Sequence, residues 1–337
     1  MLYDTRGWYQ EGIDTLSHAV YALEMVHGNS PLGRSSRIAL GHLLTTCSLL
    51  TYRQGQHEQA QAMLERSLEI LRPLNDPSVV VEPLAFLGTV MTLIGDYAGA
   101  AELLSEGREK AVAVGDRWFA AMCLSLQGSV AMYSGSYKIA HEQLQTAVAE
   151  LRAVGDPRFI AFGLNHLGKS ALTLELYDEA RAALEESVAL NLSVGARWNL
   201  GHAYEGLGAV ARALGRHQES VDMFRKCVDT FTELGGRFYT AHGLAEMGRS
   251  VFALGNDAEA ERVWREALQI ATEIHGTPVA LYALIGLASL LAKRGDMEYA
   301  LEMTWMISNH PASSHETRNR AVHLRTELEA QLTPSQI

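Results

Sequence analysis

Glycine returns every 40 residues along most of the chain, at Gly55, Gly95, Gly135, Gly215, Gly255 and Gly295. A second series keeps step with it at Gly88, Gly128, Gly168, Gly208 and Gly248, and a third row of small residues falls at Ala60, Ala100, Ala140, Ala180, Ser220, Ala260 and Ala300. No insertion or deletion disturbs this register between about residue 41 and residue 310. A fixed period of this size specifies a stacked array, in which each unit buries its apolar face only against its neighbours.

Residues 81–120 show what one unit contains. Val81, Leu84, Leu87, Gly88 and Met91 form the stripe of an amphipathic helix. Gly95 ends that helix, because a left-handed C-terminal position is least strained for glycine. Tyr97, Ala100, Leu103, Leu104 and Ala111 mark a second helix, which Gly115 stops, and Asp116 is placed to cap the next one. So few residues join the two helices that they must lie antiparallel. Gly88 and Ala100 then let their backbones approach where they cross.

A small residue at position eight of such a pair, glycine at fifteen, an aromatic at seventeen and alanine at twenty resembles the tetratricopeptide repeat (TPR) family. Here the pattern reads "PLAFLGTVMTLIGDYAGAAELL", "ALTLELYDEARAAL" and "GLGAVARALGRHQES". The resemblance covers seven units, roughly residues 41–310. The 40-residue unit exceeds the usual TPR length of about 34, which implies extra helical length at the junctions. Glu175 departs from the turn glycine, Cys47-Ser48 and Ala288 depart from the Leu-Gly pair, and no proline closes each unit. The junctions "VGDRWF", "VGDPRF", "VGARWN" and "LGGRFY" are similar to those of TPR arrays at the C-terminal end of large bacterial signalling (STAND-type) ATPases and transcription activators. The resemblance implies an all-α right-handed TPR superhelix, an α-solenoid of about sixteen helices: one orphan second helix, seven pairs and one cap.

Three segments follow. Residues 1–33 read as the second helix of a truncated repeat plus a linker, with Gly7 in the place of Gly55 and Gly12 in that of Ala60. Residues 34–310 carry the seven repeats. Residues 311–337 read as a capping helix and tail, opened by the capping box Ser313-x-x-Glu316 and running to about Gln331. A half-unit bares the stripe it would share with its missing partner, so the chain is expected to be a segment of a longer protein, with more repeats or another domain before Met1.

Composition narrows the function. The net charge of −11 on 337 residues disfavours nucleic acid as the main partner, since backbone binding needs a basic surface. No continuous run of 18 apolar residues and no signal peptide occurs, so no membrane partner is expected. Cys47, Cys123 and Cys227 sit on apolar helix positions, which points to buried thiols in a reducing compartment and so to the cytoplasm. There is no GxxxxGK[ST], HExxH, GxSxG or CxxC motif. The expectation is a chain that is not an enzyme and holds no cofactor, and whose glycines punctuate helices without cradling phosphate.

The resemblance also assigns the candidate binding residues. TPR arrays use fixed positions of the first helix to line a concave groove, and those positions select His42, Asn165, Lys169, His202, Glu205, Arg212, His242, Arg249, Phe252 and Tyr282. His42, His202 and His242 share one repeat position; a polar groove wall or singly satisfied histidines fit them better than zinc, for which no third ligand is evident. Lys169, Arg212 and Arg249 place three cations on one wall of an acidic chain. Either each pairs with a neighbouring carboxylate, Glu205 or Glu246, or together they hold an anionic ligand such as an acidic peptide. Arg117-Trp118, Arg158-Phe159, Arg197-Trp198 and Arg237-Phe238 recur at the junctions, as a stacking ladder or, better, as staples whose arginine meets the last carbonyls of the preceding helix. The function implied is a sensor or scaffold segment of a larger signal-transduction protein, taking a protein, a peptide or a small-molecule effector in its groove. A free-standing adaptor and a peptide-pheromone-type receptor are the alternatives.

Overall fold

The computed structural model describes residues 8–27 and 32–331, and among them it holds sixteen α-helices, one short 3-10 helix and no strand. A lone helix α1 (Tyr9–His27) precedes seven antiparallel pairs. These are α2/α3 (Arg34–Arg53, His57–Leu71), α4/α5 (Pro77–Ile94, Tyr97–Ala113), α6/α7 (Arg117–Tyr133, Tyr137–Val154) and α8/α9 (Pro157–Thr173, Tyr177–Val194). The pairs α10/α11 (Arg197–Ala213, His217–Glu233), α12/α13 (Arg237–Ala253, Asp257–Glu273) and α14/α15 (Thr277–Lys293, Met297–Asn309) follow, and α16 (His315–Glu329) closes the array. The chain is therefore an all-α helical repeat, as its period requires.

Packing divides the array into two compact units, residues 1–206 and 207–337, with the division inside α10. In the first unit α2 touches α4, α4 touches α6, and α6 touches α8; in the second α12 touches α14, and α14 touches α16. Second helices pack instead on their own partners and on the first helix of the next pair. Each unit thus keeps its first helices along an inner side and its second helices outside.

The second glycine series has a specific steric cause. A Cβ built on Gly88 would lie 2.6 Å from the Leu104 side chain, one on Gly128 2.6 Å from Leu144, and one on Gly168 2.5 Å from Leu184. Gly208 faces Phe224 at 2.8 Å and Gly248 faces Trp264 in the same way. In these five pairs the glycine is a hole and the large residue sixteen positions later is the knob that fills it. The alanine row lies on the same interface and is fully buried, with Ala60, Ala100, Ala140, Ala180, Ala260 and Ala300 at 0% exposure. Where Ala288 takes the glycine register in α14, Gly286 lies beneath Trp264 instead.

The helix ends follow local chemistry. Asp96, Asp116 and Asn256 accept backbone N–H bonds from the residue three positions on, and Asp76 and Asp156 accept them from two positions on. The turn glycines hold left-handed backbone, for example Gly95 at φ 92° and Gly215 at φ 71°. Glu175 occupies the same turn at φ 61°, so the fold imposes the left-handed conformation even where the sequence lacks glycine.

Three expectations change. The N-cap of α16 is Ser314, whose Oγ accepts from the Thr317 N–H at 3.1 Å, while Ser313 donates to the Ile307 carbonyl and Glu316 turns away from the helix start. Burial decides this, because Ser313 is buried and already engaged by the preceding helix. Two of the junction arginines bond carboxylates: Arg158 pairs with Asp156 at 2.8 Å and Arg237 with Glu273. Although no continuous apolar run exists, α4 is long and apolar enough to cross a membrane by length and composition. Its Val79, Val80, Val81, Leu84, Ala85 and Leu87 are buried, which makes it a core helix of the array. The alignment of Gly7 with Gly55 lies outside the described residues.

Two stability predictions follow from this packing. Gly128→Leu forces a branched side chain against Leu144 and the Ala140 carbonyl, and is expected to destabilise by on the order of 1–3 kcal/mol, whereas Ala330→Leu on the exposed end of α16 leaves the urea midpoint unchanged. Equal shifts at both positions would show that the knob-and-hole assignment is mistaken. Glu175→Gly relieves a left-handed residue and should raise stability by up to about 1 kcal/mol; a lower midpoint in the same urea titration would contradict the strain.

Candidate functional site

The inner side of the first unit gathers polar and aromatic groups from the first helices. Lys169 on α8 donates to Glu205 on α10 at 3.1 Å, and the other oxygen of that carboxylate meets His202 Nδ1 at 3.0 Å. Trp198 lies 5.7 Å from His202, and the Arg53 guanidinium of α2 sits 3.9 Å above the Trp198 ring. Tyr9 of α1 and Tyr52 of α2 approach the same indole at 6.0 and 6.3 Å. Tyr97 and Tyr133 stack at 6.4 Å with an interplanar angle of 8°. His166 of α8 bonds Ser129 of α6 through Nδ1 and packs on Phe162 at 4.6 Å. Tyr133 keeps 48% of its surface exposed, so this is a wall of side chains and not a sealed core.

Burial sets the charge state of these imidazoles. Loss of solvation pushes the His166 pKa down to about 3, and the neighbouring Lys169 and His202 push the same way. His202 is also lowered by burial, against the upward pull of Glu205. Both rings are therefore neutral at pH 7.

The remaining expected residues of this unit have structural partners. Asn165 is buried; its amide donates to the Asn199 carbonyl at 2.9 Å and its oxygen accepts from Ser187 Oγ at 2.7 Å, so it ties α8 to α9 and α10. His42 meets Glu82 at 3.6 Å, and burial raises that carboxyl despite the opposing charge of His42.

In the second unit the wall is built around a buried carboxylate. Glu246 on α12 is 6% exposed and is shared by Arg212, Arg249 and the Tyr282 hydroxyl. Burial alone would raise its pKa, but Arg212 and Arg249 outweigh burial and hold it at about 2. Arg249 also donates to Tyr282 Oη at 2.9 Å and stands 3.7 Å from Glu316 on α16. His242 faces the Tyr282 ring at 5.6 Å. Phe252 packs against Trp264 at 5.7 Å and lies under the Lys293 ammonium at 4.9 Å.

The three wall cations are thus all engaged by carboxylates, which is the pairing alternative of the sequence reading. His42, His202 and His242 share one repeat position; the first two each meet a glutamate and the third faces Tyr282, and among the described residues no group of three metal-ligating side chains comes together. The sequence reading missed Tyr52, Arg53 and Tyr133, although they occupy the twelfth and thirteenth groove positions of their helices; extending the positional rule beyond the middle units finds them. It also missed Trp198, read as a junction staple; its indole is buried against Tyr9, Tyr52 and Arg53 of the same unit.

Comparison with known proteins agrees with this architecture. Two tetratricopeptide-repeat family models match, at residues 159–233 and 240–278. No curated protein matches the sequence. Among solved structures the chain is similar to a signal transduction ATPase with numerous domains (STAND) carrying a tetratricopeptide repeat sensor, from Pyrococcus horikoshii, at 15% identity and a TM-score of 0.53. That alignment covers 88% of this chain and 44% of the ATPase, so the chain spans less than half of its length. A Rap protein complexed with Competence and Sporulation Factor aligns at 13% identity and TM-score 0.60, over 87% of this chain and 78% of that one. Yeast Tom70 aligns at 12% identity and TM-score 0.56, over 95% and 60%. The fold and the inner wall define an all-α, protein-binding repeat scaffold. Over residues 159–233 and 240–278 it matches tetratricopeptide-repeat models, and its array resembles in fold the repeat sensor of a STAND protein.

The neutral imidazoles give a pH prediction. A histidine whose folded pKa is depressed binds its proton more readily in the unfolded chain, so its stability contribution is complete above pH 6.5 and fades as pH falls toward 3. The melting temperature is therefore expected to be flat from pH 8 to about 6.5 and to decline below that, with a shallower decline in His166→Gln. Identical pH profiles for the two proteins would remove His166 from this role.

Proposed function

We propose that this chain is the partner-sensing TPR segment of a larger signal-transduction protein, which takes up a protein or peptide segment, or a small effector, on the inner face of its first helices. Binding there would bias an attached switch domain, and the protein would work in the cytoplasm, where the buried thiols of Cys47, Cys123 and Cys227 stay reduced. The observation that carries the reading is the inner wall of the first unit. Tyr52, Tyr133, Trp198 and the Lys169–Glu205–His202 chain converge there from α2, α6, α8 and α10. Aromatic rings beside satisfied polar groups are the chemistry of a recognition surface. The likeness to the STAND protein with its repeat sensor supports the signalling context. The likeness to a Rap protein complexed with Competence and Sporulation Factor supports a second reading, a peptide-pheromone-type receptor.

Selection of phage-displayed random peptides on the immobilised chain tests the inner face. Enriched peptides are expected to lose about tenfold in affinity against Tyr133→Ala and to bind Arg152→Ala, changed on the exposed outer side, as they bind the parent. Selection without a consensus, or binding indifferent to Tyr133, would refute the proposal.

A further inference from the structure

The second unit holds more cationic groups on its inner side than its own carboxylates satisfy. Arg249 and Arg320 stand against Tyr282 and Arg212 against Glu246, and among the described residues the carboxylates beside them are Glu246 and Glu316. The Arg320 guanidinium of α16 lies 4.6 Å over the Tyr282 ring, and its Nη1 is buried with no hydrogen-bond acceptor among the described residues. Burying a guanidinium N–H without an acceptor is unfavourable, and an anion is what corrects it.

The two carboxylates are held unequally. Glu246 is 8% exposed at its side chain and ionised through Arg212 and Arg249. Glu316 is 63% exposed, its nearest cation is Arg249 at 3.7 Å, and it meets the Tyr282 hydroxyl at 3.2 Å. That hydroxyl has a single proton, and it also bonds Glu246. Two carboxylates therefore compete for one donor, and the exposed one is the weaker competitor.

We infer that Arg249, Tyr282 and Arg320 form a seat for a carboxylate of an acidic peptide or protein segment, and that Glu316 occupies this seat in its absence. The incoming carboxylate takes the Arg249 and Tyr282 contacts from Glu316, which swings into solvent, and supplies the acceptor that Arg320 Nη1 lacks. This deepens the proposed inner-face binding by naming the chemistry of the partner at one place, and it rests on that reading. It also places α16, read from the sequence as a capping helix, in the binding surface.

Fluorescence anisotropy with a labelled oligoglutamate peptide on the whole chain, oligolysine serving as control, tests the seat. Oligoglutamate should bind in a salt-sensitive manner, and Glu316→Gln should bind it about tenfold more tightly because the resident competitor has lost its charge. Arg320→Met should bind about tenfold more weakly, with Arg320→Lys between the two, and thermal melts show which variants remain folded. An Arg320→Met protein that no longer folds leaves Glu316→Gln to decide the matter. Oligoglutamate binding that Glu316→Gln does not strengthen, or no binding by either protein, overturns the inference. Random-peptide selection that returns neutral sequences while oligoglutamate fails would remove this seat and leave inner-face recognition intact.

Discussion

The close approach that recurs in five helix pairs, a large side chain of the second helix seated in a glycine of the first, is the contact on which the array depends. It fixes how deeply the two helices interlock, and the pair must be correctly interlocked before it can offer a flat apolar face to the next. The hydrophobic effect supplies the drive to bury these faces, yet it does not choose the register. The steric contact does, because a Cβ at Gly88, Gly128 or Gly168 would fall within 3 Å of a leucine. Repetition of that one contact along the chain keeps the first helices on the inner side of each unit.

Once the first helices line the inner side, polar side chains projecting from them meet across neighbouring pairs. Burial then changes their chemistry. Inner pairs such as Lys169–Glu205 and Arg212–Glu246 are substantially desolvated, and they fix which ring or carboxylate faces which. Outer pairs at similar sequence spacing, Arg72–Glu106 and Arg152–Glu186, are exposed and contribute little. The same ion pair is thus structural on one side of the array and nearly silent on the other.

Most of the fold is legible in the sequence because it rests on spacing. The period, the helix pairs, the turn glycines and the N-cap aspartates all depend on residues close in the chain. Glu175 shows that the turn persists without its glycine, since packing on both sides over-determines it. The site is less legible because it depends on which side chains meet over 33 to 36 residues, as Arg249 meets Tyr282 and Lys169 meets Glu205. Spacing could place Arg249 and Glu246 on one wall, but it could not show that Tyr282 lies between their helices and α16. Trp198 was harder still, for its neighbours Tyr9 and Arg53 lie far away in sequence. The N-cap of α16 escaped for a simpler reason: two adjacent serines both suit the role, and only burial selects between them.

Trp264 breaks the pattern of one knob for one hole. A Cβ on Gly248 of α12 and a Cβ on Gly286 of α14 would both strike its indole, which is anchored by a hydrogen bond to the Ala245 carbonyl at 3.0 Å. One ring therefore clasps the first helices of two successive pairs. An array of this kind ordinarily breathes one pair at a time, each opening at the expense of its own interfaces. Here neither pair can loosen without withdrawing the ring from the other, so the smallest cooperative opening in this stretch is two pairs long.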